Sequence, residues 1–369
     1  MKALNTYNLA FRFRIYPKKE QEILIHKTFG CSRFVYNQIL GKAKEIYELE
    51  GKNKIITPAS LKSEFTFLKE VDSLALANVQ LNVRIAFTNF FQKRTSFPKF
   101  KSKKTARKSY TTNCVNNSIR IENNFLKLPK LGFVRIKLHR QIPENHAIKS
   151  ATISQEPNGA YYVSILTEFE KDIKEVPSDN NIVGLDFAMS ELFVSSDNQR
   201  ADYPRFFRKL ETKLAKAQRE LSRKVKFSQN WNKAKLKVAK IHNLIKNSRK
   251  DFLHKLSHEL VTKYNAIILE DLNMKGMSQA LNFGKSVADN GWGTFTTMLQ
   301  YKSMFLGKQV IKIDKWFPSS KTCSFCGSVK TELALSERIY KCNECNLKID
   351  RDLNASINIR EAGRNLLAY

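Results

Sequence analysis

The apolar pattern predicts an α+β chain of more than one domain: a β-rich first part interrupted by helices, then a second part in which strands alternate with helices. Three observations carry this. Short runs of period two occupy residues 11–16 and 118–168, apolar stripes of helical spacing occupy 17–51 and 76–90, and beyond a polar stretch at 177–181 the pattern changes. With 369 residues, 42% of them apolar, the chain can build two or three cores and is not disordered.

Phe11-Arg12-Phe13-Arg14-Ile15-Tyr16 alternates apolar residues with arginine, as in a strand with one buried and one basic face. Pro17 then opens a helix in which Leu24, Cys31, Val35, Ile39 and Ile46 recur up to Gly51. Leu76, Val79, Val83, Ala86, Phe87 and Phe90 mark a second amphipathic helix. Alternating runs at 118–128, 133–139, 148–155 and 161–168, separated by Asn, Pro and Gly, read as antiparallel strands of a small barrel or sheet. A strand, then helices, then more strands describes a β-domain with a helical insertion at about 17–110.

Residues 177–181 read as a linker. Ile182-Val183-Gly184-Leu185-Asp186 is a buried strand ending in an acid, followed by Leu192-Phe193-Val194-Ser195, a turn at Asp197-Asn198 and a short third run to Tyr203. Residues 205–250 carry sixteen Lys or Arg against two Glu, and Leu210, Leu214, Ala217 and Leu221 mirror Ala234, Val238, Ile241 and Ile245. That is a basic helical hairpin with a narrow apolar seam. A strand at 266–270, a helix at 292–305, a strand at 309–313 and a last helix from about Asp352 complete the order.

Three hairpin strands, then helix, strand, helix, strand and helix, is the order of the ribonuclease H fold. Its active site needs acids at the end of the first strand, at the end of the fourth and at the start of the last helix. Asp186, Glu270 and Asp352 stand in those places. Bridging carboxylates that hold two magnesium ions ~4 Å apart can activate water and stabilise the leaving oxygen of a phosphodiester. Singly, Asp186 reads equally well as a turn former, Glu270 as a surface charge beside Asp271, and Asp352 as a helix cap. The coincidence of all three is what points to catalysis.

Cys323, Cys326, Cys342 and Cys345 have two residues inside each pair and fifteen between pairs, the spacing of a closed, structural zinc site with four thiolate ligands. Disulfides would need an oxidising compartment, and Met1 to Ala10 lacks the apolar segment of a signal peptide. Cys31 and Cys114 lie far from the four and read as inert thiols. No apolar stretch approaches the ~20 residues of a membrane helix, so the expected location is cytoplasmic.

Sixty-four Lys and Arg against thirty-four Asp and Glu give a formal charge of +30, which implies a polyanionic partner, nucleic acid before a membrane surface. The densest basic loop holds six Lys or Arg at 99–108, among them Lys99, Lys101, Lys103 and Lys104, beside Phe97 and Phe100. Such interleaving suits phosphate contact with base stacking, and a solvated surface is its rival.

Taken together, Phe13-Arg14-Ile15-Tyr16-Pro17, Phe97-Pro98-Lys99-Phe100-Lys101-Ser102-Lys103, Gly184-Leu185-Asp186, Leu269-Glu270-Asp271-Leu272, Ser319-Ser320-Lys321-Thr322-Cys323 and Asp350-Arg351-Asp352-Leu353-Asn354-Ala355 resemble the TnpB family of bacterial insertion sequences, compact relatives of the type V CRISPR effectors. The resemblance spans nearly the whole chain. It implies an RNA-guided endonuclease that cuts double-stranded target DNA beside a short flanking motif, with a guide RNA from the transposon end. It also implies a barrel-like wedge domain at 1–180 with a helical recognition insertion, a RuvC-like nuclease at 181–318, a zinc knuckle at 319–349 and the last nuclease helix at 350–369. Asp186, Glu270 and Asp352 are then the catalytic acids, with two Mg²⁺ and one structural Zn²⁺. The chain is expected to act at the bacterial nucleoid, as a monomer. Phe187-Ala188 departs from the family pattern of a small residue and glycine. A nuclease-silent RNA-guided repressor, a DNA transposase and a guide-independent RNA-processing nuclease are the alternatives; a decayed repressor would have lost an acid, and all three are present.

Overall fold

The computed structural model describes residues 5–52, 54–177, 181–280, 284, 289–334 and 336–367. The linker expected at 177–181 falls largely outside them. The chain divides into two compact units, Met1–Asp172 and Ile173–Tyr369.

In the first unit, β1 (Asn5–Tyr16) is the central strand of a seven-stranded antiparallel sheet with β2 (Ser109–Asn113), β3 (Arg120–Glu122), β4 (Phe125–Leu128), β5 (Gly132–Lys137), β6 (Ala147–Gln155) and β7 (Tyr161–Lys171). The order is β2-β6-β7-β1-β5-β4-β3. Among the described residues no ladder joins β2 to β3, so the sheet is open where a barrel-like closure was expected. The alternation in β1 sorts as the sequence predicts. Phe11, Phe13 and Ile15 enter the core, while Arg12 pairs with Glu156 at 2.6 Å and lies over the Tyr162 ring. The run at 118–128 is two strands, not one, because Asn123 and Asn124 adopt φ of 45° and 62° and close a hairpin turn that asparagine tolerates.

Helix α1 (Lys19–Glu50) begins after Pro17 and stops at Gly51, which takes φ of 67° and donates its N–H to the Tyr47 carbonyl. Helix α2 (Ser73–Phe91) is capped by Asp72, which accepts from the Leu74 amide at 3.0 Å. The two helices share a core of Val35, Ile39, Leu76, Val79 and Val83. Cys31 lies in that core, and burial pushes its thiol up, as befits an inert side chain.

The second unit is built on β8 (Ile182–Ala188), β9 (Leu192–Ser195), β10 (Ala266–Glu270) and β11 (Gln309–Ile313), in the order β11-β10-β8-β9. β10 runs parallel to both β8 and β11, and β9 is antiparallel to β8. The third hairpin strand expected up to Tyr203 is reduced to one bridge between Val194 and Arg200. Tyr203 turns inward and donates its hydroxyl to the Asp289 carbonyl, and Pro204 has no N–H to extend a ladder.

The basic hairpin is α3 (Phe206–Ser222) and α4 (Gln229–Lys263), sealed by Leu214, Ala217, Ile241 and Ile245. Helix α4 outruns its expected end near residue 250, because Leu253, Leu260 and Val261 enter the core beneath the sheet. Then come α5 (Met274–Ala280), α6 (Trp292–Phe305), the ribbon of β12 (Ile339–Lys341) and β13 (Lys348–Asp350), and α7 (Arg351–Leu367).

Helix α7 lies unusually close to the sheet. A Cβ at Gly184 would sit 2.2 Å from the Ser356 carbonyl oxygen, and one at Gly363 would sit 2.4 Å from Ile268 Cγ2. Two glycines and the buried Ala355 therefore let the helix approach β8 and β10 at backbone distance. That approach brings its first turn to the strand ends that carry Asp186 and Glu270.

Candidate active site

Leu185 and Leu269 are the last ladder partners of the parallel strands β8 and β10, so Asp186 and Glu270, one residue further on, stand side by side where that pairing ends toward the carboxyl edge. Asp186 does not end its strand as expected, because β8 goes on to Ala188 against β9. Ligand sites of open α/β sheets form there. Asp352, in the first turn of α7, faces the same edge. The electrostatics record this meeting: the Asp186 carboxyl is held well above the usual range, first by burial and then by the charges of Glu270 and Asp352. Burial also raises Glu270, against the pull of a hydrogen bond from Ser319, and raises Asp352, with Asp350 adding to the effect. The three acids do not form a closed ligand cluster, since among the described residues only the four cysteines have ligand atoms all within 4.8 Å of one another. As oxygen donors at one edge they suit a hard divalent cation such as Mg²⁺.

Asp350 has a different task. Its Oδ1 accepts from the Asp352 and Leu353 amides, each at 3.0 Å, and its Oδ2 pairs with Arg200 at 3.0 Å. It caps α7 and so fixes the turn from which Asp352 projects.

Among the described residues, the four cysteines are the compact metal-ligand group, with every Sγ within 4.8 Å of the others. Cys323 and Cys345 stand 3.6 Å apart, as do Cys326 and Cys342. Four thiolates at ~2.3 Å from one tetrahedral ion lie ~3.8 Å from each other, whereas a disulfide needs ~2 Å. The set therefore fits zinc. The Cys342 thiol is pushed down to about 6, chiefly by a backbone hydrogen bond from Cys345, and a hydrogen bond with Ser328 lowers Cys326, whereas Cys345 is pushed up to about 12, so two of the four lean toward the thiolate a metal requires.

Sequence reasoning missed what joins this knuckle to the acids. Buried Asn354 donates to the Thr322 carbonyl at 2.7 Å and accepts from the Ser324 amide at 2.9 Å. Buried Asn358 donates to the carbonyls of Ser319 and Thr322 at 2.8 and 2.7 Å. Ser319 Oγ in turn donates to Glu270 Oε1 at 2.5 Å. The available signal was two asparagines four residues apart among Ala355 and Ile359, since polar groups on an apolar helix face need partners.

The basic loop lies in the first unit. Lys99, Lys101, Lys103 and Lys104 are all exposed, and two of them, Lys101 and Lys103, line a cleft of about 680 Å³ with Arg33, Arg107 and Lys108. Asn37 clamps the backbone of Lys101 through both its N–H and its carbonyl, at 2.8 and 2.9 Å. The ammonium of Lys101 sits 3.7 Å from the Tyr36 ring centre. Phe97 packs edge-on against Phe87 and Phe90 and so is partly committed to the protein, though it stays exposed, as does Phe100.

Comparison with known proteins agrees along the chain. Family models described as "Helix-turn-helix domain", "Probable transposase" and "Cas12f1-like, TNB domain" match residues 5–52, 164–281 and 292–359. Residues 5–52 here are strand β1 and the single long helix α1, not a helix-turn-helix. TnpB-like protein L79 of Acanthamoeba polyphaga mimivirus is 23% identical, covering 95% of this chain and 72% of that protein. A "Putative RNA-guided DNA endonuclease" of Streptomyces pristinaespiralis is 36% identical, covering 96% and 89%. The chain belongs to the TnpB family. InsQ of Escherichia coli K12, a "Putative RNA-guided DNA endonuclease", is 33% identical over 97% of this chain and 93% of its own. The fold is that of Cas12f1 in a solved Cas12f1–sgRNA–target DNA complex, with a TM-score of 0.60 and 14% identity over 97% of this chain and 99% of that one. In this TnpB-family chain the departure at Phe187-Ala188 is a packing solution. Phe187 meets Trp292 edge-on at 5.2 Å, and the Ala188 carbonyl accepts from buried Asn290.

Proposed function

We propose that this protein is an RNA-guided DNA endonuclease that hydrolyses phosphodiesters of a double-stranded target beside a short flanking motif. The observation that carries the reading is the convergence of Asp186, Glu270 and Asp352 at one sheet edge of a chain with a charge of +30. The second unit is the RuvC-like nuclease, with residues 319–349 as its zinc knuckle and α7 as its last helix. The first unit is the wedge domain, with the helical recognition insertion at about 17–110.

Asp186, Glu270 and Asp352 would hold two Mg²⁺, which supply an activated water and charge stabilisation at the leaving oxygen. The chain's own part is orientation. Gly184 and Gly363 set how near α7 lies, Asp350 sets its first turn, and burial keeps the carboxylates in an environment of low polarity, where their interactions are strong. Cys323, Cys326, Cys342 and Cys345 hold structural zinc with no coordination position left open for chemistry. Guide pairing supplies sequence recognition, so the protein needs many dispersed cations to grip an A-form heteroduplex by its backbone. The basic loop and the α3–α4 hairpin serve that grip.

RNA that co-purifies with the protein, once sequenced, should carry a guide segment, and the complex should cut duplex DNA matching it in the presence of Mg²⁺. A protein without bound RNA, or one that joins strands at fixed element ends, would favour the transposase reading that the description matching residues 164–281 suggests.

For the basic loop, replacing Lys99, Lys101, Lys103 and Lys104 with alanine should flatten the fall of log affinity with log salt by up to about 3.6, at ~0.7–0.9 for each phosphate no longer neutralised. Titration of guide RNA or target DNA at several salt concentrations measures it. An unchanged slope would make the loop a solvated surface.

A further inference from the structure

We infer that Ser319 is the positioning residue of Glu270, and that α7 holds Asp352 and Glu270 in mutual register through it. The inference rests on the reading of both acids as metal ligands and adds a residue to that site.

Glu270 ends its strand with a long side chain, whose carboxylate has more rotational freedom than that of an aspartate. Ser319 Oγ removes that freedom by donating its single proton to Oε1 at 2.5 Å, a charge-assisted bond that leaves Oε2 available. Ser319 is itself buried and fixed. Its amide donates to the Phe317 carbonyl at 2.8 Å, and its carbonyl accepts from Asn358 at 2.8 Å. The following turn is locked by the Thr322 hydroxyl, which donates to the Pro318 carbonyl at 2.8 Å, and by Asn354 and Asn358, which both donate to the Thr322 carbonyl. Both asparagines belong to α7, the helix that presents Asp352. One rigid element thus places Asp352 directly and Glu270 through Ser319. Cys323 follows at once in the chain, so the same turn runs directly into the cysteine cluster. Partners of this kind typically cost 10–100-fold in metal affinity or activity when removed.

The test compares wild type, S319A, S319C, S319T and E270A as guide-loaded complexes. It measures Mn²⁺ binding by calorimetry, the Mg²⁺ concentration at half-maximal cleavage, zinc content and thermal unfolding. The E270A complex gives the background of metal taken up by RNA. S319A and S319C, which lose the strong donor, should bind Mn²⁺ about 10-fold more weakly and need correspondingly more Mg²⁺, with zinc content and unfolding temperature close to wild type. S319T, which keeps the hydroxyl, should return to within a few-fold of wild type. Wild-type Mn²⁺ affinity and cleavage in S319A and S319C, with E270A dead, would overturn the inference alone. A loss that S319T does not restore, or that comes with lost zinc, would also overturn it and make Ser319 a structural residue. E270A that binds metal and cuts like wild type would instead sink the carboxylate reading beneath it.

Discussion

Asp352→Ala is expected to abolish magnesium-dependent cleavage while leaving guide-directed DNA binding within a few-fold of wild type. The carboxylate stands in the first turn of α7, near enough to Asp186 for its charge to help hold that carboxyl above its usual range, after burial and Glu270. Removing it takes away a metal ligand that acts on the transition state, not the dispersed cations that hold nucleic acid. Asp350→Ala is the matched control, two residues away. It loses two backbone hydrogen bonds at the head of α7 and a partly exposed ion pair with Arg200. The cap is worth ~1 kcal/mol and the pair little more, so the variant should be less stable yet retain measurable cleavage. Cleavage near the wild-type rate by Asp352→Ala beside a dead Asp350→Ala would reverse the assignment.

Cys342→Ser should lower folding and cleavage together. The thiolate it removes is one of four that close a structural site, and zinc bound to such a site contributes its binding free energy to folding. Here the damage should spread beyond the knuckle. Asn354 and Asn358 clasp the 319–324 segment to α7, so an unravelled knuckle leaves two buried asparagines without partners at the helix that carries Asp352. Zinc content, near-ultraviolet circular dichroism and cleavage rate, measured on one preparation, check this, and added Mg²⁺ should not restore activity. A zinc-free variant that is fully folded and fully active would show that the four cysteines do not hold a structural ion.

Much of this architecture is legible in the residues because its causes are local. Period two in Phe11, Phe13 and Ile15 announces the central strand, and Pro17 and Gly51 bracket α1. The leucine and isoleucine seam announces the α3–α4 hairpin. What escaped depends on packing between distant segments. Nothing near residue 250 says that α4 must continue under the sheet to Lys263. The inward turn of Tyr203 toward Asp289, which no local pattern shows, helps end the expected third strand. Paired asparagines split the run at 118–128, a turn signal that the flanking apolar residues obscured. At the site, the three acids could be placed by element order, but the chain from Asn358 through Ser319 to Glu270 links residues far apart in sequence. For the basic loop, the count of lysines was visible, whereas the seat of Lys101 on Tyr36 and the packing of Phe97 were not.

The most direct measurement is an exchange of the guide. The protein is purified with an RNA whose guide segment has been replaced by an unrelated sequence, then offered two duplexes in Mg²⁺, one matching the old guide and one the new, each beside the same flanking motif. Cleavage should move entirely to the duplex that matches the new guide, and Asp352→Ala loaded with the same RNA should bind that duplex without cutting it. Cleavage that stays on the old duplex, falls on both alike, or proceeds without RNA would contradict the account.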